Sequence, residues 1–243
     1  MIAALALFWC LIVNASAATP PVAIDVAAFP IQTAHTRVLY AFAAYQPQSS
    51  LRTWSCTYCR DGTVGLNLID YSYDSATDSV AYLGVNEAAG EIVFAFRGTN
   101  SSSIQDWIDD IDFVLADFAF PGLSDVYVHS GFYKCYRAHK ANLLPALLSL
   151  RARYPSFPVV LAGHSLGAAQ ATLAAVDLAL NEQLHNLALT TFGSPRVGSP
   201  SFSDALAVLN DAGVLTAAYR VVHELDIVPH LPLQNMGFKH VCL

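Results

Sequence analysis

The 243-residue chain is 54% hydrophobic and 13% charged, where an average soluble domain is about a quarter charged. That composition argues against disorder and leaves room for one domain with a substantial core. Twelve Lys and Arg stand against nineteen Asp and Glu, a net charge of −7 with no basic run, so a phosphate-tracking face is not expected and neither is nucleic acid as a partner.

The chain opens with an apolar run from Ile2 to Val13, followed by the small residues Ala15-Ser16-Ala17. This reads as a secretory signal cleaved after Ala17, although its only early positive charge is the terminal amine. A membrane anchor is the alternative, but the run falls short of the roughly twenty residues needed to span a bilayer. No later stretch escapes interruption by Gly, Pro or charge, so no transmembrane segment is expected. The expected organisation is a signal peptide over 1–17 and a single domain over 18–243, secreted and monomeric.

Loss of the signal leaves Cys56, Cys59, Cys135 and Cys242. In an oxidising compartment an even number favours disulfides. Cys56-Thr-Tyr-Cys59 could be a redox or metal pair, but no second C-x-x-C or His pair completes a zinc site. A local disulfide is the better reading, and whether Cys135 and Cys242 pair stays open.

After a Pro-containing leader (Thr19 to Ile31), Thr36 to Tyr45 has the apolar pattern of a buried helix. Ser79 to Val85 and Glu91 to Phe96 read as strands of a hairpin joined through Asn86-Glu87-Ala88-Ala89-Gly90. Beyond residue 130 the pattern alternates: helix His139 to Tyr154, strand Pro158 to Ala162, helix Leu166 to Glu182, strand Leu187 to Phe192, helix Ser201 to Asn210, strand Ala217 to Val222. Alternating strands and helices predict a parallel sheet, with working residues at the carboxyl ends of its strands.

Gly163-His164-Ser165-Leu166-Gly167 lies at such an end, between an apolar strand and a helix. A bare G-x-S-x-G arises by chance in roughly one chain of this length in ten; the strand and helix around it make accident much rarer and point to a nucleophilic Ser165 on a tight turn. The helix start supplies backbone donors for a developing oxyanion. Asp226, just past the last predicted strand, is the candidate acid in the order Ser then Asp, with Glu224 in reserve. Thr99 ends the strand Glu91 to Phe96 with both a hydroxyl and an amide to offer.

Five blocks in order, "AFRGTNSSSIQDWIDDIDF", "VHSGFYKCY", "VVLAGHSLGAAQATLAAVDL", "FGSPRVG" and "DIVPHLP", resemble the fungal lipase-type (class 3) lipase family of the α/β hydrolases. "WSCTYC" also resembles a C-x-x-C of some members, which supports the local disulfide. The resemblance covers most of the chain from about residue 36. It implies an α/β fold with a mostly parallel central sheet flanked by helices. It also implies an oxyanion hole made by Thr99 and the Leu166 amide.

Ile104, Trp107, Ile108 and Ile111 fall at helical spacing among four aspartates, an amphipathic helix. By periodicity alone this is a surface helix packed on the core. The resemblance makes it a lid that turns its apolar face toward lipid. Asn100-Ser101-Ser102 in the same segment is a glycosylation sequon.

In the family the catalytic histidine lies well beyond a Gly-Phe-x-His stretch, here Gly237 to His240, and the chain ends at Leu243. His230 is too close to Asp226 to bridge to Ser165, and His240 is a weak substitute. His164 and His129 read as packing or hydrogen-bonding residues. The expectation is a domain lacking its last carboxyl-terminal elements, with loss of the base or recruitment of His240 as alternatives. The implied activity is that of a secreted serine esterase hydrolysing acylglycerols or related carboxylic esters at a lipid–water interface, without metal or organic cofactor. A feruloyl-type esterase and a catalytically inactive lipid-binding protein are the alternatives.

Overall fold

The computed structural model describes residues 30–99, 114–119 and 124–241. The expected signal peptide, the lid positions Ile104, Trp107, Ile108 and Ile111, the Asn100 sequon and Cys242 lie outside these residues. Internal contacts divide the chain into two units, Met1–Ile31 and Gln32–Leu243, and the fold described below is that of the second.

In chain order the elements are α1 (Ile31–Ala43), α2 (Gln48–Arg52), β1 (Leu66–Asp74), β2 (Ser79–Asn86), β3 (Glu91–Phe96), β4 (Leu115–Asp117), β5 (Tyr127–His129), α3 (Ser130–Arg153), β6 (Val159–His164), α4 (Leu166–Leu180), β7 (Leu187–Phe192), α5 (Pro200–Asp211) and β8 (Leu215–Val221). Six strands form one sheet in the order β1-β2-β3-β6-β7-β8. The first three are antiparallel, and β3, β6, β7 and β8 run parallel. This is the mostly parallel, helix-flanked sheet of an α/β hydrolase.

The sheet owes its two-sided burial to the alternation of side chains along each strand. On β3, Ile92, Phe94 and Phe96 join the cluster built with Phe132, Tyr136 and Leu143 of α3, Leu173 and Val176 of α4 and Phe202 of α5. Val93 and Ala95 point the other way, into a smaller cluster with Tyr40, Ala41 and Ala43 of α1 and Leu51 of α2. Both faces are covered, so β2 and β3 are buried from end to end.

Helix α4 is apolar all round, and every residue from Leu166 to Ala179 is buried, as a helix enclosed on all sides requires. Among its buried polar residues Gln170, Thr172 and Asp177, Asp177 accepts from Tyr136 Oη at 2.5 Å and Asn181 Nδ2 at 2.6 Å and pairs with Lys140 Nζ at 2.6 Å. A desolvated carboxylate with three partners is satisfied and ties α3 to α4. A similar lock joins α1 to β3, where Glu91 receives Arg37 Nη1 at 2.6 Å and Tyr40 Oη at 2.7 Å.

Several boundaries move from their expected places. Helix α3 starts nine residues before His139, capped by a histidine: His129 Nδ1 accepts from the amides of Gly131 and Phe132 at 3.1 and 3.3 Å, and its ring stacks on Phe132 at 3.8 Å. Strand β1 was not expected at all. Its sequence, LNLIDYSYD, lacks a continuous apolar alternation, and a register shift between Leu68 and Asp70 breaks its period. Cys56 and Cys59 form a disulfide, and Cys135 is a buried free thiol.

Candidate active site

Strand β6 delivers its last residues to the carboxyl edge of the sheet, where Ser165 turns the chain into α4. Ser165 has φ 56° and ψ −125°, a left-handed backbone that costs a non-glycine residue on the order of 1–3 kcal/mol. The turn closes only because its flanks lack side chains. A Cβ on Gly163 would lie 2.1 Å from the Gly167 carbonyl oxygen, and one on Gly167 would lie 2.2 Å from that of Phe96. Ser165 is 8% exposed, and its amide donates to Phe192 O at 3.0 Å, which extends the β6–β7 pairing by one residue.

Helix α4 thus rests directly on the end of β3, which carries Arg97-Gly98-Thr99. Gln170 Nε2 of α4 donates to Arg97 O at 3.3 Å, and a Cβ on Gly98 would lie 2.7 Å from His164 O. The Thr99 hydroxyl is buried without a hydrogen-bond partner among the described residues. A buried, unpaired hydroxyl is costly, and here it stands beside the turn that bears Ser165. Leu166 is the first residue of α4, so its amide has no acceptor within the helix and adds to the positive potential of the helix start.

Asp226 reaches the same edge from the turn after β8. His164 pairs with Phe192 and Phe192 with Val221, so the ends of β6, β7 and β8 stand side by side. Asp226 Oδ1 accepts from the amide of Val228 at 2.9 Å, and Oδ2 lies against Gly193, 2.7 Å from where a Cβ would stand. Glu224, the reserve acid, is exposed. The structure therefore brings Thr99, Ser165, Leu166 and Asp226 to one sheet edge.

The histidines sort by their partners. His240 Nε2 is engaged with the carbonyl of Pro229, and burial, with Arg220 adding to it, pulls its pKa down to about 4. His230 is exposed in a short 3-10 helix. His164 Nδ1 lies 3.0 Å from Tyr45 Oη, with Phe42 stacked on the ring at 5.1 Å. Burial lowers the His164 pKa, opposed by the charge of Asp226. Among the described residues no imidazole is hydrogen-bonded to Ser165 Oγ.

Three residues at this edge had been given no role from sequence. Tyr45 holds the His164 ring, Gly193 gives Asp226 its seat, and Arg196 clamps the loop that follows Asp226, donating from Nη1 to Pro232 O at 2.7 Å and from its amide to Leu231 O at 2.7 Å. The signal for Arg196 was its position in an otherwise uncharged, Pro-containing stretch. Nothing in the sequence near Tyr45 marked it out from other core aromatics. Among the described residues no group of three or more His, Cys, Asp or Glu is placed to hold a metal ion.

The comparisons with known proteins bear on the family and the fold. The family described as "Lipase (class 3)" matches residues 93–236, the span that runs from β3 past Asp226. A lipase of Rhizomucor miehei is 38% identical over 191 residues, covering 77% of this chain and 50% of the relative. The secreted mono- and diacylglycerol lipase A of Penicillium cyclopium is 34% identical over 173 residues, covering 71% and 53%. The chain spans about half the length of the curated relatives it matches. Among solved structures, a triacylglycerol lipase described as having a serine protease triad as its catalytic centre superposes with a TM-score of 0.76 at 35% identity, covering 86% of this chain and 77% of that one. Lipase II from Rhizopus niveus superposes with the same TM-score at 32% identity, over the same shares. With the serine turn, the sheet order and the matched span all concordant, the chain belongs to the class 3 lipase family.

Proposed function

We propose that this protein is a secreted carboxylic ester hydrolase acting on acylglycerols or related esters at a lipid–water interface, with Ser165 as its nucleophile. The observation that carries the reading is the left-handed backbone of Ser165 between β6 and α4, at the same sheet edge as a buried Thr99 hydroxyl that has no hydrogen-bond partner among the described residues. Strain of this kind persists only where the surrounding structure enforces it. Here the enforcers are the glycines at 163 and 167.

In this reading Ser165 Oγ attacks the ester carbonyl and the oxygen of the tetrahedral intermediate takes the negative charge. The Thr99 hydroxyl and the Leu166 amide donate to it, in a site that excludes water and so strengthens each donor. Asp226 is placed to orient and charge-compensate an imidazole that would accept the Ser165 proton and return it to the leaving alcohol; none of the described histidines fills that place. The names of the relatives, a lipase and a secreted mono- and diacylglycerol lipase, favour lipid esters and an extracellular setting.

The test is covalent. A fluorophosphonate probe should modify Ser165, located by peptide mass spectrometry, and leave Ser165→Ala untouched. Hydrolysis of p-nitrophenyl esters of graded chain length, beside feruloyl esters, then reads the acyl preference. A probe that spares Ser165 in the folded chain would sink the nucleophile assignment and favour a lipid-binding protein without hydrolytic activity.

A further inference from the structure

Tyr45 touches both the nucleophile turn, at His164, and the segment that carries Thr99, at Gly98. Its phenol oxygen is 3.0 Å from His164 Nδ1 and 3.5 Å from His164 O. The same oxygen would lie 2.1 Å from a Cβ on Gly98, the residue before Thr99. On the far side of the imidazole, His164 Nε2 and Cδ2 each lie 3.7 Å from the position of a Cβ on Gly193, and Asp226 Oδ2 lies 2.7 Å from the same point. The carboxylate and the imidazole thus flank the bare Cα of Gly193. Its φ of 55° independently favours glycine.

The geometry favours one arrangement of the protons. A neutral phenol has one hydrogen to give. Burial holds the phenol neutral, its pKa pushed up to about 12. The nearer acceptor for that hydrogen is His164 Nδ1, which leaves the imidazole hydrogen on Nε2, the side shared with Asp226. No direct hydrogen bond joins Nε2 to Asp226 among the described residues, so the coupling is between a charge and an N–H dipole at close range.

We propose that Tyr45 and His164 form a positioning pair that joins the oxyanion segment, the nucleophile turn and the acid into one unit, with His164 held as the neutral Nε2–H tautomer facing an ionised Asp226. The pair acts through other residues. It fixes the Gly98-Thr99 backbone relative to Ser165, and it turns an N–H toward the half-buried Asp226 carboxylate. The titratable groups facing the His164 ring are Tyr45, from the segment after α1, and Asp226, from the turn after β8; Phe42 on α1 adds an uncharged stacked ring. The inference rests on the assignment of Asp226 as the acid.

Nitrogen-15 NMR of the full chain labelled at histidine tests the proposal without calling on activity. The expected result for the wild type at neutral pH is an unprotonated Nδ1 and a protonated Nε2 on His164. Tyr45→Phe should lose this pure signature and give a mixture of tautomers. Asp226→Asn, nearly isosteric, should move the His164 titration to lower pH, because it removes the charge that favours the imidazolium. A wild-type Nδ1–H tautomer would overturn the proposal, as would a His164 titration that Asp226→Asn leaves in place while the amide spectrum shows a folded chain. Fluorophosphonate labelling of Ser165 fails or succeeds separately, so an inert serine with the expected His164 signature would count against the hydrolase reading alone.

Discussion

Arg196 Nη1 donates to the carbonyls of both His230 and Pro232, while the Arg196 amide donates to Leu231 O. One residue on the strand-end segment after β7 thereby holds three consecutive carbonyls of the loop that begins at Asp226. Only 8% of Arg196 is exposed, and burial lowers the pKa of its guanidinium. A guanidinium is suited to such a place because Nη1, at the end of a long side chain, carries two N–H groups, one for each acceptor.

Arg196→Lys should therefore be costly although it keeps the charge. The lysine ammonium stands one bond short of the position of Nη1 and cannot reach both carbonyls without moving the loop, and hydrogen bonds to charged donors contribute roughly 1.5–3 kcal/mol each. The expected loss is about 2–4 kcal/mol of unfolding free energy by urea denaturation, with slower fluorophosphonate labelling of Ser165 in the folded variant. A variant as stable as the wild type would mean that the loop holds itself, through Asp226 Oδ1 and the amide of Val228, without Arg196.

The left-handed backbone at Ser165 leads to a trade of stability against chemistry. Glycine occupies such a conformation without a Cβ penalty, so Ser165→Gly should be more stable than Ser165→Ala by about 1 kcal/mol, since both lack the hydroxyl and differ in strain. Both should be blind to the fluorophosphonate probe. Equal urea midpoints for the two variants would mean that the turn relaxes when the hydroxyl goes, and that the strain belongs to the serine side chain instead of the glycine-lined approach of α4 to β3.

Much of this edge was legible before the fold was known, because the relevant signals are local. A glycine two before and two after Ser165 records a close approach that a Cβ would block, and the period change from strand to helix around it records the topology. The β7 strand was readable to the residue, since an uninterrupted apolar run has one way to be buried. Strand β1 was hidden because it pairs with β2 alone, so its exposed positions include Asn67 and Asp70, and its bulge shifts the alternation. Tyr45, Gly193 and Arg196 were hidden for another reason. Their contacts join segments tens of residues apart, 33 from Gly193 to Asp226 and 119 from Tyr45 to His164, and no short window of sequence contains both partners.

Away from the site, His139 gives the fold an acid limit. Its ring is fully buried, with Nδ1 2.9 Å from Ser72 Oγ and Nε2 2.8 Å from Ser79 Oγ. Hydroxyls can serve one nitrogen as acceptor and the other as donor, which suits the neutral ring. Burial pulls the His139 pKa down to about 4 from 6.5; Asp74 raises it and Arg97 lowers it, both to a lesser degree. The unfolded chain therefore binds a proton between pH 6.5 and 4 that the folded chain refuses. Stability from this group is fully present above pH 6.5, falls as the pH drops toward 4, and changes no further below that. The slope is at most about 1.36 kcal/mol per pH unit for one proton. His139→Gln, which keeps a donor and an acceptor but cannot titrate, should lose stability at pH 7 and yet show a shallower decline between pH 6.5 and 4 in urea unfolding. His240, shifted in the same direction, should leave a residual slope that a further His240→Gln removes. A decline in His139→Gln as steep as that of the wild type would show that carboxylates, whose window lies lower, dominate the acid unfolding instead.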